Sequence, residues 1–200
     1  MDLFLSADVE ADGPIPGPYS MSAIGVCAAG TFDGTRFTAL DVDAHTFYSE
    51  LKPISDAFDP AAAAVSGLDR DRLIASAPAP EQAMRALSDW VTATARAFGA
   101  RPVFVGYPLG FDWMWASWYL VRFTGSSPFG HSGHLDAKTM YARAAGVRLG
   151  KAALREVPAE LRGSRPHTHH ALEDAQAQGE LFANLWQWAG PQRAGSGQDS

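Results

Sequence analysis

The sequence predicts one mixed α/β domain. Strand-like apolar runs crowd the first fifty residues, helical and strand-like segments alternate after them, and no composition break or internal repeat divides the chain. With 200 residues, 46% hydrophobic and 19% charged, the chain is long enough to bury a sizeable core and too apolar to be disordered throughout. A single cysteine, Cys27, excludes an intrachain disulfide framework and a Cys-rich zinc module. The opening Met1-Asp2 carries no basic, then apolar, leader, and the longest weakly polar stretch (Met21 to Gly30) falls far short of the roughly 18 residues of a membrane span. A cytoplasmic protein without a membrane partner is expected.

The elements follow in order. Leu3-Phe4-Leu5-Ser6-Ala7-Asp8-Val9-Glu10 is an apolar run ending in acids, the pattern of a buried strand whose last residues are polar. Gly13, Pro14, Pro16, Gly17 and Pro18 make a loop. Ser22 to Cys27 and His45 to Tyr48 read as two more strands around the turn Asp33-Gly34, so a three-stranded antiparallel meander is expected. Met84, Leu87, Val91, Ala95 and Phe98 recur at three- and four-residue steps, which predicts an amphipathic helix. Val103-Phe104-Val105 is a brief strand ended by Gly106 and Pro108. Phe111, Trp115, Trp118, Tyr119 and Phe123 then share one helical stripe, and Leu135 precedes a helix near residues 138–145. A basic irregular segment leads to a last helix from about His170 to Trp188. The domain is expected to span residues 1–188, with a disordered Gly/Ser/Gln-rich tail over 189–200.

Asp8 and Glu10 stand two apart at the end of a strand, so both side chains leave the same face of the sheet. At about 5 Å and an effective dielectric near 20, two such acids repel by roughly 3 kcal/mol. A hard divalent cation reverses that sign, because oxygen ligands suit Mg²⁺ or Mn²⁺. Two solvated acids at a strand end are the plainer account. Asp112 follows the third-quarter strand and opens the aromatic helix, where the helix dipole alone would favour an acid. Near the C-terminus, His167-Thr168-His169-His170-Ala171-Leu172-Glu173-Asp174 holds two spacings. His170 and Asp174 are four apart and share a face on a helix, whereas His169 reaches Asp174 only from the loop before it. A helix cap or a His-rich metal scavenger remains open at this point.

Taken together, Asp8-Val9-Glu10, Phe111-Asp112 and His169-His170-Ala171-Leu172-Glu173-Asp174 resemble the three motifs of the DEDDh 3′→5′ exonuclease family, relatives of proofreading exonucleases and oligoribonuclease. Val65-Ser66-Gly67-Leu68 resembles a segment common between the first two motifs, and the likeness runs from about Leu3 to Leu185. Two departures stand out. Gly106-Tyr107-Pro108 replaces a His-Asn pair before the second motif, and Ala11-Asp12-Gly13 replaces a Thr-Gly pair after the first. Neither removes a metal ligand or the base, and both bear on how the terminal nucleotide is gripped.

The resemblance implies a ribonuclease H-like fold, a mixed sheet with flanking helices in a single domain, with Asp8 and Glu10 on its central strand. It implies a hydrolase, an exoribonuclease or exodeoxyribonuclease, acting at the 3′ ends of single-stranded RNA or DNA and releasing nucleoside 5′-monophosphates. Asp8, Glu10, Asp112 and Asp174 would bind two Mg²⁺ or Mn²⁺ ions about 4 Å apart. His169, ahead of its neighbour His170, would be the base, since an imidazole titrates near neutrality. Ala11, Asp12, Gly13, Tyr107, Phe111 and Trp113 are candidates for holding the terminal nucleotide, in part by stacking. Met21 is a candidate for the cleft lining or the core. A homodimer is the assembly expected from the family. A catalytically silent binder of the same fold, or a metal-binding protein using His131, His134, His167, His169 and His170, are the competing readings; the first has no need of all five site residues, and the second leaves Asp8, Glu10 and Asp112 unexplained.

Charge points the other way. Sixteen Lys and Arg against 22 Asp and Glu give a net charge of -6, which excludes a protein that coats nucleic acid. The distribution is uneven: residues 1–100 hold 14 acids and 6 bases, residues 101–200 hold 8 acids and 10 bases. Lys138, Arg143, Arg148, Lys151, Arg155, Arg162 and Arg165 precede His169 with only Glu156 and Glu160 among them. That stretch reads either as a solvated loop or as a phosphate-guiding surface with Arg165 nearest the site. Screening over roughly 8 Å keeps distant acids from mattering at the cleft.

Overall fold

β1 (Asp2–Ala11) is buried along almost its whole length because it lies mid-sheet with helices on both faces. In the computed structural model, which describes residues 1–190, β2 (Met21–Phe32) runs antiparallel to it. β3 (Phe37–Ala39) and β4 (Thr46–Glu50) both pair antiparallel with β2. α1 (Pro60–Ser66), α2 (Arg70–Ser76) and α3 (Pro80–Ala97) follow. β5 (Arg101–Gly106) then returns parallel to β1, and α4 (Leu109–Thr124) leads to β6 (His134–Asp136), parallel to β5. The sheet order is β3-β2-β1-β5-β6, with β4 on β2. α5 (Ala137–Ala145), the short α6 (Ala159–Arg162) and α7 (Ala171–Gln187) complete the described chain.

Alternation along β1 divides the molecule. Leu3, Leu5, Ala7 and Val9 enter the core shared with α3 and α4. Phe4, on the opposite face, packs against Phe182 of α7, and Gln178 of α7 donates to the Ala7 carbonyl at 2.8 Å. The even-numbered residues therefore look toward α7, and Asp8 and Glu10 are among them. α3 buries Met84, Leu87, Val91 and Ala95, as its period predicts, with Phe98 just past its end. Fully burying each large apolar side chain contributes roughly 1.5–3 kcal/mol.

The predicted three-stranded antiparallel unit is present as β1, β2 and β4, but β2 runs on to Phe32 rather than stopping at Cys27, and it carries the additional short β3. Of the aromatic stripe on α4, Trp115 and Tyr119 are fully buried while Phe111 is 40% exposed. The basic segment is not structureless: it forms single turns of 3-10 helix at Leu149–Lys151 and Leu154–Glu156 and then α6. The predicted tail over 189–200 lies, beyond Gly190, outside the described residues. No helix among the described residues is long and apolar enough to cross a membrane.

Candidate active site

β1 outlasts its neighbour. Its pairing with β5 ends at Ser6 and Val105, so the Val9 amide on that side has no strand partner, and Asp112 Oδ1 on the first turn of α4 accepts it at 3.2 Å. On the other side Asp8 sits opposite Gly25 of β2. A Cβ at Gly25 would overlap the backbone of Ala171 and Leu172, so the bare strand lets the first turn of α7 rest directly on the sheet. That seating brings Asp174 in. One carboxylate oxygen from each of Asp8, Glu10 and Asp174 lies within 4.8 Å of the other two.

Asp174 is held from the loop before its own helix. His170, the cap residue of α7, offers no side-chain cap bond. Instead the Thr168 amide donates to Asp174 Oδ1 at 2.8 Å and the His169 amide to Oδ2 at 2.9 Å. To make that turn His169 adopts φ 59, a left-handed conformation uncommon outside glycine. His167 Nδ1 stands 2.9 Å from the same Oδ2.

Burial and mutual repulsion show in the proton affinities. Burial first, then Asp174, pushes Asp8 up to about 7. Burial, then Asp8 and Asp174, pushes Glu10 up to about 8. Asp112 is raised well above the usual carboxylate range by burial and by Asp8. Asp8, Glu10 and Asp174 in mutual contact, with Asp112 electrostatically tied to Asp8, are all oxygen donors and suit hard divalent cations, which would offset the repulsion among them.

Asp8, Glu10 and Asp112 line a cleft of about 490 Å³, and Asp174 lines an adjoining pocket of about 270 Å³ that shares Asp8, Tyr107 and His167 with it and also carries Arg162 and Arg165. Tyr107, Phe111, Ala11, Gly13, His167 and His169 also line the cleft, and no lysine or arginine does. Tyr107 is fixed by donating its hydroxyl to the Ala152 carbonyl at 2.9 Å. Two sequence expectations require correction. Asp12 turns away from the cleft: its carboxylate accepts from the Ser20 amide and faces Arg70 at 3.6 Å. Trp113 lies behind the site against Phe104 and His134, with ring centroids 5.3 and 4.8 Å away, because one helical step from Asp112 turns it about 100°. Arg165 lines the pocket that adjoins the cleft, beside Asp8 and Asp174, with its guanidinium bonded to Asp43 and Glu180, each at 2.7 Å. Met21 is wholly buried in the core, one of the two places the sequence allows it. His170 stacks on Tyr48 at 4.6 Å and does not line the cleft, whereas His167 and His169 both do. Asp59, Ala62 and Val65 line the opposite wall. The Asp-Pro helix start at residues 59–60 announces their helix, but nothing local says that it faces the acids.

A mixed sheet of this order, with acids delivered from its central strand to the start of its last helix, defines a nuclease of ribonuclease H-like fold. Comparison with known proteins sharpens that class. No protein-family model matches the chain. The chain is 36% identical over 183 residues to the 3′-5′ DNA exonuclease Cap18 of Escherichia coli, covering 90% of each. Its fold resembles that of a 3′-exonuclease solved in 3′-end-specific recognition of a histone mRNA stem-loop (TM-score 0.70, 13% identity, 93% of this chain, 64% of that chain). It also resembles the nuclease domain of 3′hExo, a DEDDh family member, bound to rAMP (0.70, 14%, 93% and 92%), and exonuclease I (0.66, 15%, 92% and 41%). The chain belongs to the family of 3′→5′ exonucleases that its Escherichia coli relative represents, and its fold is that of a DEDDh family member.

Proposed function

We propose that the protein removes nucleotides one at a time from the 3′ end of single-stranded DNA, in a two-metal reaction that uses Mg²⁺ or Mn²⁺. The reading is carried by the convergence of Asp8, Glu10 and Asp174 within 4.8 Å, with Asp112 electrostatically tied to Asp8 and His169 at the same cleft. The choice of DNA over RNA is supported by the relative that bears the name of a DNA exonuclease.

Asp8, Glu10, Asp112 and Asp174 would hold the ions. When bound, the ions supply Lewis-acid chemistry: they acidify the attacking water and offset charge at phosphorus and on the leaving 3′ oxygen. His169 accepts the proton of that water and passes it to solvent from its exposed position. The Thr168 and His169 amides keep Asp174 oriented, so the base and a ligand are positioned by one loop. The faces of Phe111 and Tyr107 hold the terminal base by stacking, which tolerates any base. Ala11 and Gly13 allow close approach of the sugar; Gly13 is packed so tightly on Tyr19 that a Cβ does not fit. As the water oxygen bonds phosphorus the P–O3′ bond breaks, the departing 3′ oxygen takes up a proton from solvent, and a nucleoside 5′-monophosphate leaves.

The test uses matched 5′-labelled DNA and RNA oligonucleotides with Mn²⁺ or Mg²⁺. A ladder shortening from the 3′ end, faster on DNA and lost in Asp8→Ala and His169→Ala, is expected. Equal or faster RNA degradation refutes the DNA assignment. A ladder undiminished in Asp8→Ala refutes the site.

A further inference from the structure

The exonuclease chemistry leaves one close neighbour of Asp174 without a task. His167 Nδ1 lies 2.9 Å from Asp174 Oδ2, and its ring stands 4.3 Å from that of His169, centroid to centroid, at 68°. One ligand atom from each of His167, His169 and Asp174 falls within 4.8 Å of the other two. We propose that these three residues form a Zn²⁺ site, distinct in its donors from the all-oxygen cluster, and that Zn²⁺ bound there inhibits the enzyme.

Donor chemistry separates the two overlapping clusters. Asp8, Glu10 and Asp174 offer oxygen alone, which suits Mg²⁺. Two imidazoles and a carboxylate form the ligand set of a three-ligand zinc centre, with a fourth position left for water. Zn²⁺ also binds a given nitrogen-oxygen site more tightly than Mn²⁺, so low concentrations can compete.

Geometry permits closure. Zinc-ligand bonds of about 2.0–2.2 Å put tetrahedral neighbours roughly 3.3 Å apart, so no pair within 4.8 Å need close by more than about 1.5 Å, and His167 Nδ1, 2.9 Å from Asp174 Oδ2, need open by only about 0.4 Å. Asp174 is the fixed point, buried and held by two backbone amides, each of which leaves its oxygen a free lone pair. The imidazoles are the adjustable members. His167 is 52% exposed, His169 is exposed as well, and both face the open cleft through which an ion would arrive.

The inhibitory consequence rests on the roles proposed above for His169 and Asp174. An ion in this site occupies the imidazole that would accept the proton. It also draws on the carboxylate shared with the oxygen cluster, so inhibition weakens as Mg²⁺ is raised.

The metal-free full chain is titrated with Zn²⁺ against a chromogenic chelator, comparing the parent protein, His167→Ala and Glu10→Gln. One equivalent should bind the parent, at least tenfold more weakly in His167→Ala, and within threefold of the parent in Glu10→Gln. Nuclease assays in excess Mg²⁺ on the parent and His167→Ala then give the Zn²⁺ concentration for half inhibition, each scaled to its own zinc-free rate. That concentration should rise at least tenfold in His167→Ala. Equal Zn²⁺ affinity in parent and His167→Ala overturns the site, as does loss of binding in Glu10→Gln. The chelator titration reads binding without any nuclease activity, so failure of the exonuclease reading and failure of the zinc site give different results. Exposure of His167 keeps folding out of the comparison, and a matching thermal midpoint verifies it.

Discussion

Gly25→Ala isolates the seating of α7 as the device that completes the acid cluster. The added methyl falls well inside the 3.4 Å at which ordinary contact begins, and the atoms it meets are backbone atoms of Ala171 and Leu172, which cannot rotate aside. The first turn of α7 must therefore retreat by about 1 Å. Asp174 is two residues further along, and its amide-bonded loop moves with it. A displacement of that size at a reacting centre costs on the order of 10²-fold in rate. Overpacking costs about 1–3 kcal/mol in stability, or roughly 2–10 °C in thermal midpoint at this chain length. Gly30→Ala is the control. It also lies on β2, but its Cβ meets chiefly the ring of Phe37, and its partner Phe4 is distant along β1 from Asp8. The assay is the initial rate on a 3′-labelled single strand at saturating Mn²⁺, with thermal midpoints for both variants. Gly25→Ala should lose about a hundredfold in kcat, whereas Gly30→Ala should lose stability with kcat kept within about threefold. A folded Gly25→Ala protein with kcat within threefold of the parent would refute the link between helix seating and catalysis.

Other outcomes follow from the same geometry. In the metal-free protein Asp8 and Glu10 hold protons more tightly when folded than unfolded, so their contribution is complete below about pH 4 and is lost as pH rises through about 7 and 8. The loss from Asp8 is of order 2–4 kcal/mol; the midpoint should fall between pH 5 and 8 in EDTA and recover with saturating Mg²⁺ at pH 8, and a flat profile in EDTA would contradict the raised affinities. Phe111→Ala should raise KM on DNA by about 5- to 150-fold, the range for one lost base stack, with little change in midpoint because the ring is 40% exposed. Arg165→Ala should lower the midpoint by a few degrees, as expected for partly exposed ion pairs contributing about 1 kcal/mol, and leave KM within twofold. A tenfold rise in KM there would mark Arg165 as a phosphate contact.

Legibility in the sequence tracks how local each determinant is. Strand alternation places Asp8 and Glu10 on one face, and the loop-to-helix register favours His169 over His170; both depend on neighbours within a few residues. Its position just after the first motif places Asp12 at the site, but the β1–β2 register shifts between Glu10 and Ala11, and its carboxylate bonds the Ser20 amide and faces Arg70 instead. Arg165 is bound by an aspartate 122 residues away, beyond the reach of any local pattern. Gly25 carries a weak signal, a glycine inside an apolar strand, which marks a close approach without naming what approaches. Trp113 shows the limit of position alone: adjacency to Asp112 in the chain places it on a different side of the helix.

The 490 Å³ cleft carries no lysine or arginine of its own, and the cationic side chains Arg162 and Arg165 line the adjoining pocket that shares Asp8, Tyr107 and His167 with it. Departure of the terminal nucleotide would leave the shortened strand few electrostatic holds inside the cleft itself. The expected outcome, with substrate in excess, is that strands shorten in step through all intermediate lengths; complete degradation of some strands while others stay intact would contradict it.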